Sequence, residues 1–378
     1  MIYLDNAATT MVKPPQVIDA VTQAMGHFGG VGRGVHGASL QAGMAVYEAR
    51  DLLAKFLGVP NASRVSFTAN ATESLNIAIR GLAAPGCHIV TTMASHNSVL
   101  RTIELIRNDR GCSATASKVN PDGSIDLGAF ERAFESNTKL AVVTHASNLT
   151  GDIYDVAELA DIAHAYGATV VVDAAQTAGC IPIDMTEMDI DVLCCTGHKA
   201  LMGPQGTGCI CVADGVELPP FKVGGSGTHS FDLNHPADMP ECLEAGTLNG
   251  HGIAGLAAGV RYIQGLGVEA VRAHELALVE RFEQGLAAIP QIKVYGGSAA
   301  SRTGVIALNI GELDSGAVAD ALSNEFGICT RAGAHCAPLM HRAIGTEHQG
   351  AVRFSVSWFT TEEDIDTAIA ALKEIAAR

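Results

Sequence analysis

The sequence has few basic residues and no long apolar run. Its 24 Lys and Arg residues stand against 40 Asp and Glu residues, which gives a formal net charge of -16. No local basic cluster offsets this charge, so it argues against nucleic acid or an anionic membrane surface as a partner. No apolar stretch reaches the ~18 residues needed to span a bilayer, and the MIYLDNAATT start lacks the pattern of a signal peptide. We therefore expect a cytoplasmic protein.

Internal repeats and low-complexity linkers are also missing. With 378 residues, 48% of them hydrophobic, the chain can bury a substantial core or divide into a large and a small lobe. Such a chain needs no disulfide framework, so most of its 10 cysteines are expected to be reduced and buried. A weaker alternative is a zinc site formed by Cys194, Cys195, Cys209 and Cys211. It is weaker because neither pair has the spacing of a zinc knuckle.

The order of apolar segments predicts two lobes. Between about residues 40 and 215, short β-branched runs alternate with helical periodicity, which is typical of a parallel sheet with crossover helices. The predicted strands are 65–68, 88–92, 140–145, 168–173 and 192–195. The predicted helices are 72–82, 98–109, 126–136 and 155–166. A second, α+β lobe follows, with helices at 251–266 and 269–288, strands at 292–295, 304–310 and 351–357, and a last helix that a capping box starts at Thr360 or Thr361.

One lysine follows a predicted buried strand, in the segment TGHKALMGPQGTG. Burying the ammonium of Lys199 is costly, whereas a lysine condensed with an aldehyde cofactor is held covalently and acts as a base once released. Asp173 ends another apolar strand, at the sheet edge where ligands collect, and could keep a pyridine nitrogen protonated. Gln176 could reach the phenolic oxygen of such a ring. Taken alone, Lys199 could be a surface lysine and Asp173 a helix cap.

Other polar residues follow predicted strands. TANATESLN (68–76) opens a helix whose free N–H groups and dipole favour an anion, and Thr72 could add its hydroxyl. Thr196 and His198 could supply further phosphate donors. His96, in MASHNSVLR, could lie flat over a cofactor ring, or it could be a helix-terminal histidine that faces solvent.

Cys336, in RAGAHCAPLM, is the best candidate for a nucleophile. Its loop is punctuated by Gly, Ala and Pro, and charges on Arg331 and His335 could favour a thiolate. The alternative is an ordinary loop cysteine. Arg353, opening the strand AVRFSVSW, could clamp a substrate carboxylate through a bidentate pair, although an arginine at a strand end is often a surface residue.

Taken in order, these segments resemble the class V (fold type I) pyridoxal-phosphate enzymes, specifically the cysteine desulfurase and selenocysteine lyase family. The resemblance spans nearly the whole chain, through YLDNAATT, GRGVH (32–36), NATESLN (70–76), SHNSV (95–99), SNLTG (147–151), VDAAQTAG (172–179), TGHK (196–199), EAGTLN (244–249) and RAGAHCAP (331–338). It implies an α/β fold with a mostly parallel seven-stranded sheet in a large domain (15–255). A smaller α+β domain would comprise residues 1–14 and 256–378.

The resemblance also implies a role for each site residue. Lys199 would hold pyridoxal 5'-phosphate covalently, Asp173 would pair with the pyridine nitrogen, Gln176 would approach the phenolic oxygen, and His96 would stack on the ring and assist catalysis. Phosphate would be bound by Thr72, Thr196 and His198, with Thr247 contributed by the partner subunit of a homodimer, and Ala71 would also contact the cofactor. Substrate would contact Asn148, Arg353 and Ala7. No metal is implied.

The reaction implied is conversion of L-cysteine or L-selenocysteine to L-alanine, with a persulfide formed on Cys336. The short nucleophile segment is similar to the second group of desulfurases, so a separate acceptor protein is expected, such as a scaffold for iron–sulfur assembly. Two alternatives remain. An aminotransferase or a kynureninase-like hydrolase would need no cysteine in this segment, and a non-catalytic scaffold would be expected to have lost Lys199 or Asp173.

Overall fold

The structure is a computed structural model that describes residues 1–31 and 34–378, so the first part of the GRGVH motif lies outside the described residues. The strands are Ile2–Tyr3 (β1), Val65–Thr68 (β2), His88–Thr92 (β3), Ser113–Ser117 (β4), Thr138–Thr144 (β5), Thr169–Asp173 (β6), Val192–Thr196 (β7), Gly208–Val212 (β8), Ile292–Tyr295 (β9), Val305–Ile310 (β10), Ile328–Cys329 (β11), Arg331–Gly333 (β12) and Ala351–Ser355 (β13). The α-helices are Pro15–His27 (α1), Gly37–Phe56 (α2), Ala71–Leu82 (α3), Asn97–Arg110 (α4), Leu127–Glu131 (α5), Val156–Ala165 (α6), Gly250–Leu266 (α7), Val268–Leu286 (α8), Ser315–Phe326 (α9), Pro338–Ile344 (α10) and Glu362–Ala376 (α11).

The larger sheet is mostly parallel, and it confirms the predicted α/β fold. Within the described residues it has seven strands in the order β2-β8-β7-β6-β5-β3-β4. Only β8 runs antiparallel to its neighbours. Helices and loops cover both faces of this sheet, so the apolar side chains on both faces of its strands are buried. Asp173 at the end of β6 therefore lies at the same sheet edge as the end of the adjacent strand β7.

The C-terminal part of the chain builds a second core. Strands β12, β13, β10 and β9 form an antiparallel sheet in that order. Its apolar side packs with α8, α9 and α11, and Leu4 from the N-terminus joins the same core. The Thr361 hydroxyl accepts from the Asp364 N–H, and the Asp364 carboxylate accepts from the Thr361 N–H, so the predicted capping box starts α11. The domain boundary near residue 255 stays a prediction.

Two predicted elements differ in length from those observed. The helix expected over 126–136 ends at Glu131, because Ala133 and Phe134 bond to Phe130 and Glu131 in tighter three-residue turns. Strand β5 begins two residues earlier than expected, at Thr138. No helix of the described segments is both long enough and apolar enough to cross a membrane.

The four cysteines considered for zinc do not converge. Cys194 packs into the core on one face of the large sheet, whereas Cys195, Cys209 and Cys211 pack into the core on the other face. This follows from the alternation of side chains along β7. Across residues 1–31 and 34–378, no group of three or more His, Cys, Asp or Glu side chains is arranged to hold a metal ion.

Candidate active site

A cavity opens where β6 and β7 end and where α3 and α4 begin. The predicted site residues that line it are Ala71, Thr72, His96, Asn148, Asp173, Gln176, Thr196, His198 and Lys199. These residues come from segments far apart in the sequence, and the parallel sheet brings them to its carboxyl edge.

Asp173 and Lys199 form the charged centre of this cavity. Asp173 is 5% exposed, and its carboxylate accepts a 3.0 Å hydrogen bond from the Ala175 N–H. Burial raises the pKa of Asp173, and the Ala175 N–H and the Lys199 ammonium oppose that shift. Burial lowers the pKa of Lys199 to about 8, against the opposing pull of Asp173. About a tenth of Lys199 is therefore the neutral amine at pH 7, far more than for an ordinary lysine, and this form can attack an aldehyde.

The same cavity also offers donors for an anion. The Asn70 side chain caps α3 by accepting from the Glu73 N–H, which leaves the first N–H groups of the helix, at Ala71 and Thr72, directed outward. The Thr196 hydroxyl is buried and has no hydrogen-bond partner among the described residues. A buried hydroxyl of this kind is costly unless a ligand satisfies it. An acidic side chain and a set of anion donors in one cavity fit the pyridine nitrogen and the phosphate of pyridoxal phosphate.

Both cavity histidines are neutral at pH 7. His96 caps α4, and its Nδ1 accepts from the Ser98 N–H at 3.0 Å, so any proton on the neutral ring lies on Nε2. Burial, with the nearby Lys199, lowers the pKa of His96 to about 4. The same two causes lower the pKa of His198 to about 4. His96 is thus a helix cap that also lines the cavity, and His198 offers a ring nitrogen in the same cavity.

Hydrogen bonds from the N-terminal segment hold the peptide group that precedes Lys199. The His198 carbonyl accepts from the Thr9 hydroxyl at 3.2 Å, from the Thr10 N–H and hydroxyl at 3.0 Å each, and from the Lys13 ammonium at 3.1 Å. Burial lowers the pKa of Lys13 to about 8. Sequence reasoning missed these residues, although a lysine within a largely uncharged segment was a usable signal. They hold the backbone that carries Lys199.

Arg353 is buried in the middle of β13, so the prediction of a residue that opens the strand was wrong. It is 2% exposed, and it donates to the Asp5 carboxylate and to the Asn148 carbonyl at 2.9 Å each. Its Nε has no partner among the described residues. Arg353 does not line the cavity around Lys199, but the contact with Asn148 joins it to the cavity wall. Asp5 was missed because its partner lies 348 residues away.

Cys336 lies in a tight turn beside the cavity wall. The turn is closed by an Ala337 N–H to Ala334 carbonyl bond of 2.9 Å, and His335 and Cys336 at its centre have φ of 49° and 56°. The Cys336 carbonyl accepts from the Asn97 N–H at 2.8 Å, and Asn148 donates to the His335 carbonyl at 2.6 Å. Burial lowers the pKa of His335 to about 3, so the positive charge expected from His335 is absent.

Two predicted residues lie elsewhere. Thr247 is exposed and lines a separate cavity beside Tyr47 of α2. Ala7 lines a second, smaller cavity that also reaches Gln176 and Lys199, and its carbonyl accepts from the Gln176 amide at 3.2 Å. In the described residues of this chain, Thr247 is separate from the group around Asp173, whereas Ala7 touches that group through Gln176.

Glu275 of α8 faces the same smaller cavity as Ala7. The residue is 6% exposed, and burial raises its pKa to about 8. Between the ordinary pKa of a glutamate and pH 8, the folded protein keeps the Glu275 proton whereas the unfolded chain releases it. The free energy of unfolding therefore falls as the pH rises toward 8. We expect Glu275→Gln to raise the apparent Tm at pH 8 and to change it little near pH 4.5. The difference in the free energy of unfolding between variant and wild type should grow by at most about 1.4 kcal/mol for each pH unit between these values.

Thermal unfolding across this pH range checks that expectation. Glu280→Gln, at an exposed position of the same helix, is the matched control. A Tm difference for Glu275→Gln that is equal at pH 4.5 and pH 8 would contradict it.

A family model, related sequences and solved structures all indicate the same family. The family model described as aminotransferase class-V matches residues 2–367. A probable cysteine desulfurase from Methanothermobacter thermautotrophicus is 33% identical, over 99% of this chain and 94% of that protein. A cysteine desulfurase from Haloferax volcanii is 32% identical, over 98% and 88%. Among solved structures, a cysteine desulfurase from Thermococcus onnurineus has a TM-score of 0.94 at 33% identity, covering 100% of this chain and 94% of that one.

Proposed function

The chain belongs to the aminotransferase class-V family, and we propose that it is a pyridoxal-phosphate-dependent cysteine desulfurase that also accepts selenocysteine. The names of its relatives support the reaction class. The observation that carries the proposal for this chain is the joining of two parts. One is the cavity with Asp173 and Lys199, and the other is the Cys336 turn, which is hydrogen-bonded to the wall residue Asn148 and to Asn97, the neighbour of the wall residue His96.

Each part of the cavity has a role toward the cofactor. When bound, pyridoxal phosphate supplies an electron sink for bond breaking at the substrate Cα and Cβ. Lys199 would hold it covalently, Asp173 would face the pyridine nitrogen, and Gln176 would face the phenolic oxygen. Its phosphate would take the N–H groups of Ala71 and Thr72, the free Thr196 hydroxyl, and His198. His96, neutral and at the cavity wall, would lie beside the ring.

The protein residues then orient the amino acid and move its protons. The Asn148 side chain would bind the substrate carboxylate at the cavity wall, and Arg353, which bonds the Asn148 carbonyl behind that wall, would turn its guanidinium toward the same carboxylate when substrate binds. The lysine amine, released by the incoming substrate amine, would take the Cα proton and later return a proton to carbon. Its pKa of about 8 suits both directions of transfer near neutral pH.

Cys336 would accept the chalcogen. Its thiolate attacks the sulfur of cysteine, so that a sulfur–sulfur bond forms as the Cβ–S bond breaks and its electrons remain with the carbon fragment. Protonation of that fragment yields alanine, and the enzyme keeps a persulfide on Cys336. An acceptor protein, such as an iron–sulfur scaffold in the cytoplasm, would take the outer sulfur. Selenocysteine would react at selenium in the same way.

A homodimer would complete the site. Large apolar side chains on α1 and α2 are more than half exposed, namely Ile18, Met25, Leu40, Met44 and Tyr47. Exposed apolar faces of this kind favour a protein partner. Thr247 lines a cavity with Tyr47, so a second copy bound there would bring Thr247 close to the interface and could direct it to the partner's phosphate end.

Substitution of the nucleophile tests this function. We expect Cys336→Ser to lower alanine release from cysteine by on the order of 10²-fold, because serine cannot form a persulfide. Alanine and protein-bound persulfide are measured with cysteine, selenocysteine and cysteine sulfinate in turn. Cys329→Ser is the matched control, since Cys329 and Cys336 are both half-buried.

The pattern across substrates separates the candidate functions. Undiminished alanine release from cysteine in Cys336→Ser would refute the persulfide step. Alanine release by the wild-type protein from selenocysteine but not from cysteine would identify a selenocysteine lyase. No alanine from any of the three by the wild-type protein would instead favour an aminotransferase or hydrolase of the same family.

A further inference from the structure

The turn that presents Cys336 has an unfavourable backbone. His335 and Cys336 both have positive φ, which non-glycine residues rarely adopt because it is sterically unfavourable. Such a turn persists only where the surroundings hold it. The contacts that do so therefore determine where the Cys336 sulfur lies.

Some of those contacts come from the turn and the cavity wall. The Asn97 N–H and the Asn148 amide hold the Cys336 and His335 carbonyls. The His335 ring turns back and donates from Nε2 to the Arg331 carbonyl at 3.2 Å, which fixes its orientation. His335 is 4% exposed, and its Nδ1 has no partner among the described residues.

A further contact comes from a second buried histidine. His341 of α10 is 2% exposed, and its ring lies nearly parallel to that of His335, with centroids 5.9 Å apart and planes 18° from parallel. His341 Nδ1 shares a 2.6 Å hydrogen bond with the Thr346 hydroxyl. Burial lowers the pKa of both histidines, so two uncharged rings stack without repulsion.

We infer that His341 is a positioning residue for the nucleophile: anchored by Thr346, its ring supports His335 and so holds Cys336 in the left-handed turn at the cavity wall. The effect on catalysis rests on the proposed function, whereas the effect on the turn does not. His341 touches neither the substrate nor the nucleophile in this role. A flat ring is the required feature, so phenylalanine should replace it better than an aliphatic side chain of similar size.

Three variants separate the parts of this arrangement. His341→Leu removes the ring and the bond to Thr346, His341→Phe keeps the ring alone, and Thr346→Val removes the bond alone. Arg342→Ala, at the exposed neighbouring position of α10, is the matched control. Amide hydrogen exchange of the segments around Asn97 and Ala337 is measured without substrate, and kcat and KM for cysteine are measured with it.

We expect His341→Leu to exchange faster at both segments and to lose about 100-fold in kcat, which is typical of a reacting group displaced by about 1 Å. KM should stay near the wild-type value, and His341→Phe should recover most of the loss. Thr346→Val should give a smaller loss, and it keeps the test open if His341→Leu does not fold. Arg342→Ala should match the wild type.

Two results would overturn the inference. One is unchanged exchange at Asn97 and Ala337 in both His341→Leu and Thr346→Val. The other is faster exchange in an active protein with unchanged kcat. If the wild-type protein releases no alanine, the proposed function fails, while the exchange measurements still decide whether His341 holds the turn.

Discussion

Replacing Lys199 with alanine should lower alanine release from cysteine by on the order of 10³-fold, the scale of a lost proton-transfer group. Covalent retention of pyridoxal phosphate should be lost as well. Lys199 is the lysine that lines the cavity, and its pKa of about 8 leaves enough neutral amine to attack an aldehyde. Alanine cannot bond the cofactor, and it cannot carry a proton to or from the substrate Cα.

Two measurements check this prediction independently. Activity is measured as alanine release, and attachment is measured by borohydride reduction followed by mass analysis of the peptide that contains residue 199. Lys55→Ala, at an exposed site on α2 where the lysine pairs with Asp51, is the control and should keep both properties. Cofactor found attached to a different lysine in the wild-type protein would contradict the assignment.

The parts of the site that could be predicted lie close to strand ends. Asp173 and Lys199 follow apolar runs, and the rule that parallel strands present ligands at their carboxyl edge was sufficient to bring them together. The same regularity predicted strands β2, β3, β6 and β7 within one residue at either end. Strand β4 was missed because its sequence, SATAS, has no large apolar residue.

The parts that could not be predicted depend on contacts between distant segments. The bond from Lys13 to the His198 carbonyl spans 185 residues, and no local pattern in either segment indicates it. The partner of Arg353, Asp5, was hidden for the same reason. The charge of His335 was misjudged because burial, which decides it, is a property of the fold.

The roles of Thr247 and Ala7 illustrate a third limit. The family resemblance assigned both to the site, and within one chain Thr247 lines a different cavity whereas Ala7 lines a neighbouring cavity that shares Gln176 and Lys199. A residue supplied by a second copy leaves no signal in the periodicity of a single sequence. Its role stays a prediction that depends on the proposed homodimer.

Replacing Asp173 with asparagine should lower turnover of cysteine by roughly 10²–10³-fold, the scale reported for removal of one preorganised electrostatic partner. The asparagine side chain can still accept the Ala175 N–H, so the local fold should survive. It cannot hold a pyridine nitrogen in its charged form. The electron sink would therefore be weakened while the cofactor stays bound through Lys199 and the anion donors near Thr72.

A shift in the titration of Lys199 distinguishes this electrostatic role from a structural one. The Asp173 carboxylate raises the pKa of Lys199 and so partly offsets the effect of burial. Its removal should move that pKa below about 8, and the rate at which cofactor-free protein binds pyridoxal phosphate should then reach its midpoint at lower pH. Asp161→Asn, at an exposed site on α6, should leave turnover and midpoint unchanged. If Asp173→Asn also left both unchanged, the carboxylate would not face the ring, and the proposed orientation of the cofactor would have to be abandoned.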